Sequence, residues 1–420
     1  MTDTVSDGEA SDGKTDAGMV IVGAGECGAR AALALREAGY AGPVTLLDAE
    51  AHDPYERPPL SKDAILAETP VPKGIGGAER LAEAGIAFRR SRKAHAIDRA
   101  RKTVVCDDGS ELPYERLLIA TGARPRPLPG NDRGAEAPNV VTLRTLDDAA
   151  RIRAALGPGK RLAVIGGGFI GLELAASARR LGAEVTVIEA LPRLLSRAVP
   201  EEIAAVLHER HAAEGARILT GARVAGIEEA GVALADGTTV AADLIVVGIG
   251  AMPNVELAEE AGLALENGVA VDATLASSDP DIFAAGDCCS VPMPLYDGRR
   301  VRLESWRSAQ EQGGLAARNM LGAGETVSAV PWFWSDQYDL TLQIAGLADG
   351  AGSHVRREGK DGAFLIFHLA PDGRLLSASG IGPGNAVAKE IRLAEMLIAR
   401  RATPDPQALA DPGVNLKKLL

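Results

Sequence analysis

Six glycines in two triplets carry the clearest chemical signal in the chain. Gly23, Gly25 and Gly28 lie in MVIVGAGECGARAALALREAGY, and Gly166, Gly168 and Gly171 lie in LAVIGGGFIGLELAASARRLGA. Both have the spacing Gly-x-Gly-x-x-Gly. In such a turn the first glycine permits a tight reversal and the second lets the backbone approach a diphosphate. The third lets the following helix pack closely on the strand. The helix then offers unpaired N–H groups and its positive dipole end to the phosphates. About 20 residues beyond each triplet stands an acid able to accept both hydroxyls of a ribose. After the first triplet this is Asp48, with Glu50 close behind; after the second it is Glu189. A lone glycine turn is weak evidence. Two, each between an apolar strand and a helical run, imply two dinucleotides on one polypeptide.

The elements that must position these groups repeat along the chain. In the first copy the pattern predicts a strand over 19–22, a helix over 29–38 stopped by Gly39, and a second strand over 44–47. The second copy repeats this plan and closes on Glu189. Each continues into a strand, an Asp-Gly hairpin turn, another strand and an apolar strand ending in glycine, in KTVVCDDGSELPYERLLIATGARPRPLPG and VALADGTTVAADLIVVGIGAMPN. The late segment DPDIFAAGDCCSVP adds a short strand over 282–285 that places Asp287 at a strand's carboxyl end, where doubly wound folds bind ligands. There Asp287 could accept hydrogen bonds from a polyol. From about Ala329 the character changes to strands followed by a helix, without a nucleotide fingerprint. The fold class is therefore α/β, with two Rossmann-like dinucleotide-binding domains and a C-terminal α+β domain. The expected division is a disordered tail over 1–18, one unit over 19–126 and 247–328, a second over 127–246, and the C-terminal unit over 329–420.

Composition narrows the function. The chain has 420 residues, 24% of them charged, with a net charge of −12. No excess of Lys and Arg is available to neutralise phosphates, which argues against general nucleic-acid binding. The polar, acidic first residues lack the features of a secretory signal, and no apolar run approaches the ~20 residues of a membrane span. A cytoplasmic protein is expected, with no membrane association. Cys27, Cys106, Cys288 and Cys289 match no zinc or iron–sulfur spacing, so no metal site is expected. They read as buried or incidental thiols, with a strained Cys288–Cys289 disulfide as the alternative.

The motifs PYERPPLSKD, ATGARPRPLPG, GGGFIGLELAA, AAGDC and LESWRSAQEQG together give a more specific signal. From about Met19 to the C-terminus the sequence resembles the flavin-dependent NAD(P)H:ferredoxin reductases of bacterial oxygenase systems. The resemblance implies a glutathione-reductase-like fold with FAD in the first unit and NAD in the second. The C-terminal domain would support the flavin and help receive the partner. It implies cofactor contacts from Arg57, Thr121, Gly122, Arg124, Asp287 and Trp306 on the flavin side, and from Phe169, Ile170 and Gly250 besides the glycines on the other. Lys62 matches the family lysine near the flavin's reactive nitrogen, and Glu173 the glutamate that pairs with it. A cation there would stabilise negative charge on the reduced ring. A structural salt bridge is the alternative. Two positions depart from the pattern: Glu26 stands where glutamine is usual, and the family's ribose acid matches Glu50 although Asp48 ends the strand.

The function implied is an NADH:ferredoxin oxidoreductase passing single electrons to a 2Fe–2S ferredoxin that feeds a Rieske dioxygenase or a haem monooxygenase. Glu189 favours NADH by repelling a 2′-phosphate, with Arg193 and Arg197 nearby as a partial counterweight. No cysteine lies between Cys27 and Cys106, so the thiol relay of disulfide reductases is not expected. An acidic ferredoxin calls for a basic docking face. Arg299, Arg300, Arg302, Arg307, Lys417 and Lys418 are the candidates, with Trp332 and Trp334 near the flavin edge. A monomer or weak dimer is expected. A rubredoxin reductase, an NADH oxidase and an NAD-sensing interaction protein resembling apoptosis-inducing factor are the competing readings.

Overall fold

The computed structural model describes residues 17–129 and 138–420. The predicted tail falls almost wholly on 1–16, outside the described residues. Gly18, counted with that tail by sequence, opens the first strand, Gly18–Val22.

Two parallel sheets of like order carry the glycine turns. In the first, Ile86–Arg89, Val44–Leu47, Gly18–Val22 and Glu111–Ile119 lie side by side, and Ile282–Ala284 pairs with the far edge of Glu111–Ile119. In the second the order is Arg217–Leu219, Glu184–Ile188, Arg161–Ile165, Leu244–Val247 and Val140–Val141. Each sheet thus takes its last strand from outside its own glycine-turn segment. Ile21, Leu46, Leu117 and Ile119 are wholly buried in the first sheet, and Ala163, Val164, Val187 and Ile245 in the second. These unbroken apolar runs suit strands covered on both faces.

Three local expectations are corrected. The opening helix spans Glu26–Glu37 and so starts directly after the second glycine. In the first copy the last two predicted strands are one, Glu111–Ile119. Its start pairs antiparallel with Thr103–Cys106 and its remainder parallel with Gly18–Val22, because no turn residue interrupts it. In the second copy Thr239–Ala241 and Leu244–Val247 stay separate; between them Asp243 binds the backbone N–H and the guanidinium of Arg161. Val247, which the sequence grouped with the first unit, pairs with Ile165 in the second sheet.

A short antiparallel ribbon, Ala123–Pro125 with Ala251–Pro253, carries the chain between the two units. The C-terminal sheet is antiparallel, in the order Trp332–Gln337, Leu340–Gly346, Leu375–Pro383, Phe364–Leu369 and Ser353–Glu358. The last of these, SHVRRE, lacks apolar alternation and escaped sequence reading; charged residues are usual on an edge strand. Helix Ala388–Ala399 packs on this sheet through Ile391, Ala394, Leu397 and Ile398. Among the described residues no helix is long and apolar enough to cross a membrane.

Candidate active site at the junction of the three units

Within each triplet the three glycines answer to different constraints. Gly23 and Gly166 have φ of +103° and +110°, and a Cβ on either would lie 2.3 Å from the carbonyl oxygen of Ala120 or Gly248. On Gly28 it would stand 1.8 Å from the Gly23 oxygen, and on Gly171 2.5 Å from the Gly166 oxygen. Gly25 and Gly168 differ: no protein atom lies within 4 Å of the Cβ position. These two are the N-caps of helices Glu26–Glu37 and Phe169–Arg180, and neither helix has a side-chain cap. The first N–H groups of both helices are therefore left for an anion. One buried donor on the first side, Trp306 Nε1, also lacks a partner among the described residues. The residues present fit a dinucleotide at each turn.

The acids behave unequally. Asp48 Oδ1 accepts the backbone N–H of Glu50 at 3.3 Å, and burial pushes its carboxyl above the ordinary range. Glu50 accepts from Arg57 Nη2 at 2.7 Å and from the Tyr55 hydroxyl at 2.6 Å, and Arg57 also reaches the Arg144 carbonyl. Glu189 accepts the N–H groups of Gly167 and Leu191, both at 2.7 Å, which ties it to the second glycine turn. Asp287 is paired with Arg144 at 2.9 Å. Thr121 donates to the Asn254 carbonyl at 2.7 Å and Arg124 donates to the Asn254 side chain at 2.8 Å, so both strands of the ribbon are tied at one end. Gly122 and Gly250 have φ of +67° and +114° on either side of this ribbon. Phe169 packs against Phe333 of the C-terminal sheet, whereas Ile170 is half exposed.

Lys62 and Glu173 meet as the sequence implied. Pro58 and Pro59 open a short 3₁₀ turn, Pro58–Ser61, which delivers Lys62 toward helix Phe169–Arg180 of the other unit. Lys62 Nζ lies 2.9 Å from Glu173 Oε1. Glu173 is only 6% exposed, and two hydroxyls also donate to it, Ser61 at 2.5 Å and Ser335 at 2.7 Å. One carboxylate thus receives donors from the first unit and from the C-terminal sheet while sitting on the second. Trp332 and Trp334, two apart on one strand, stack with centroids 5.3 Å apart, and Trp306 meets Trp334 edge-on at 5.9 Å. Lys62 Nζ lies 5.8 Å from the Trp334 ring centre, and Arg307 covers Trp332.

Comparison with known proteins agrees with this arrangement. Residues 18–313 match the family model described as pyridine nucleotide-disulphide oxidoreductase, and residues 332–420 match the reductase C-terminal model. The chain belongs to the pyridine nucleotide-disulphide oxidoreductase family. It is 45% identical to the anthranilate 1,2-dioxygenase system ferredoxin–NAD(+) reductase component of Burkholderia cepacia, over 96% of this chain and 99% of that protein. It is 37% identical to putidaredoxin reductase of Pseudomonas putida, over 96% of each. Among solved structures, the covalent putidaredoxin reductase–putidaredoxin complex superposes with a TM-score of 0.91 at 35% identity, covering 97% of this chain and 98% of that one.

This pyridine nucleotide-disulphide oxidoreductase family member has four free, buried cysteines. The alternative Cys288–Cys289 disulfide is absent: Cys288 Sγ donates to the carbonyls of Ile119 and Ala285, and Cys289 Sγ to Gln312. The basic face expected from sequence is largely neutralised within the chain. Arg302 is paired with Glu304, Arg300 with Glu266, and Arg299 with Asp349. Arg307 binds Glu395 at 2.6 Å and Glu311 at 2.9 Å. Burial opposes its charge, but the hydrogen bonds to Glu395 and Glu311 outweigh this and raise its pKa. Lys417 and Lys418 are exposed. The sequence reading missed Ser61, Ser335, Arg144 and Tyr55. Ser61 and Tyr55 lie inside the quoted motif PYERPPLSKD, whereas Ser335 and Arg144 carry no local signal and become site residues only through the fold.

Proposed function

We propose that the chain is an FAD-dependent NADH:ferredoxin oxidoreductase serving a Rieske dioxygenase or a haem monooxygenase in the cytoplasm, as a monomer or weak dimer. What supports this most is the Lys62–Glu173 pair, which joins the first unit to the glycine-turn helix of the second, each unit carrying an uncapped glycine turn. FAD would be held by the turn Gly23–Gly28, Glu50, Arg57, Thr121, Gly122, Arg124, Asp287 and Trp306, in the unit formed by 18–126 and 248–328. NADH would be held by Gly166, Gly168, Phe169, Ile170, Gly171, Glu189 and Gly250, mostly in the unit from 127 to 247. FAD, when bound, accepts a two-electron hydride and releases electrons singly.

The chain's own part is electrostatic and positional. Lys62 supplies an ammonium near developing negative charge, and the triply hydrogen-bonded Glu173 holds it there. With every cysteine buried and unpaired, a thiol pair offers no route for the electrons. They leave past the tryptophan cluster, and the surface beside Trp332, Trp334 and Arg307 receives the 2Fe–2S ferredoxin. Residues 329–420 provide that surface together with helix Trp306–Met320.

The pure protein is expected to be yellow, to bleach rapidly with NADH, and to reoxidise far faster with a 2Fe–2S ferredoxin than in air. Lys62→Met should slow bleaching by at least tenfold. Colourless protein that takes up no added FAD would overturn the whole reading. Fast reoxidation by air, with no gain from any ferredoxin, would make it an oxidase instead.

A further inference from the structure

Glu173 is also the end of a line of hydrogen bonds that begins outside the site. Ser335 Oγ lies 2.7 Å from Glu173 Oε1, Gln337 Nε2 lies 3.1 Å from Ser335 Oγ, and His211 Nε2 lies 2.9 Å from Gln337 Oε1. The Tyr338 hydroxyl lies 3.3 Å from His211 Nδ1. Ser335, Gln337 and His211 are all buried, His211 completely. Ser335 and Gln337 alternate on the first C-terminal strand, on the face opposite Trp332 and Trp334. His211 sits on helix Glu201–Ala213 of the second unit.

The direction of each bond follows by elimination. A carboxylate only accepts, so the one proton of Ser335 goes to Glu173 and its oxygen must accept from the Gln337 amide. That turns the Gln337 carbonyl toward the histidine, whose Nε2 therefore carries the hydrogen. Burial lowers the His211 pKa, which keeps the ring neutral, and Nδ1 is left to accept from Tyr338. Every donor points toward Glu173. An amide does not relay protons, so the line is a fixed array of dipoles and not a proton wire.

We propose that Ser335, Gln337 and His211 are positioning residues for Lys62. Their aligned dipoles hold the Glu173 carboxylate in one orientation and take up part of its negative charge, leaving more of the Lys62 ammonium free to face a negatively charged ring. This rests on the functional reading above. It assigns a role in the flavin half-reaction to a helix that carries no nucleotide fingerprint.

The test uses the FAD-loaded protein with Ser335→Ala, Ser335→Thr and the near-isosteric Gln337→Met. Three measurements apply: anaerobic flavin reduction by NADH, the flavin midpoint potential, and the ¹⁵N signals of histidine-labelled protein assigned by loss in His211→Gln. The array predicts an Nε2–H tautomer at His211 in the parent and its disturbance in Gln337→Met. It also predicts reduction slowed about three- to tenfold in Ser335→Ala and Gln337→Met, a more negative potential in both, and recovery of rate and potential in Ser335→Thr. Lower melting temperatures with rate and potential unchanged would make the line purely structural and overturn the proposal. An Nδ1–H tautomer in the parent would overturn its direction. Should Gln337→Met fail to fold, the Ser335 pair decides. Protein that is reduced by NADH yet passes nothing to a ferredoxin overturns the acceptor reading alone.

Discussion

At the scale of single residues, charges on opposite sides of the site lead to separate expectations. Glu26 opens the first helix beside the turn that must admit a diphosphate, and its carboxyl is pushed up by burial and by Glu56, with the Gln310 amide opposing. A group with a raised folded pKa contributes stability at low pH that is lost as pH rises through that pKa. Glu26→Gln should therefore raise the melting temperature of the FAD-free protein at pH 7–8 and leave it unchanged near pH 4. It should also tighten FAD binding by about tenfold, since like-charge repulsion in a partly screened site is on the order of 1–2 kcal/mol; equilibrium titration of the FAD-free protein measures this. On the other side, Glu189 faces the second turn, and Arg193, the nearer arginine, is spent on the carbonyls of Leu194, Ser196 and Val199. Of the two arginines, exposed Arg197 remains to meet a 2′-phosphate. The kcat/KM for NADH should exceed that for NADPH by at least tenfold, and Glu189→Gln should narrow the ratio while keeping an acceptor for the Gly167 N–H.

At the scale of elements, the middle glycines separate binding from folding. Gly25→Ala places a methyl in open space, so the melting temperature of the FAD-free protein should hold while FAD affinity falls at least tenfold. Gly28→Ala drives a methyl against the Gly23 carbonyl and should cost several kcal/mol or prevent folding, as urea unfolding would show. The matching pair Gly168→Ala and Gly171→Ala should divide in the same way, with KM for NADH replacing FAD affinity. Both turns were legible in the sequence because their spacing, flanking strands and trailing acids are local. The Lys62–Glu173 pair was legible only through the family motifs, since its partners lie 111 positions apart. Ser335 and Arg144 were not legible at all: a serine on a strand and an arginine before a helix look ordinary until three units meet. Strand Ser353–Glu358 was hidden for the opposite reason, as an edge strand need not alternate. Each arginine read from sequence as part of a docking face has a carboxylate close to it in space that linear spacing does not reveal.

At the scale of the whole molecule, a net charge of −12 would have to coexist with attraction of the acidic ferredoxin proposed above. Arg299, Arg300, Arg302 and Arg307 are all in ion pairs, whereas Lys417 and Lys418 at the C-terminus have no such partner among the described residues. These two lysines are best placed to act over distance. Reversing both to Glu should lower ferredoxin-dependent cytochrome c reduction several-fold at low ionic strength. The difference should fade above about 0.3 M salt, with NADH-driven flavin reduction unchanged throughout. The order of assembly is set by the strand Ile282–Ala284, which completes the first sheet, and by helix Trp306–Met320, which lies so close to the first helix that a Cβ on Gly313 would come within 2.3 Å of the Cys27 carbonyl oxygen. During synthesis, Ile119 leaves the ribosome roughly 8–30 s before Ala284 at about 5–20 residues per second. For that interval the first 120 residues keep an apolar sheet edge uncovered, and their helix face stays bare until Trp306–Met320 follows, while the segment between gains all its strands. Chaperone dependence of the newborn chain should therefore concentrate in its first 120 residues, well before any pigment can be taken up.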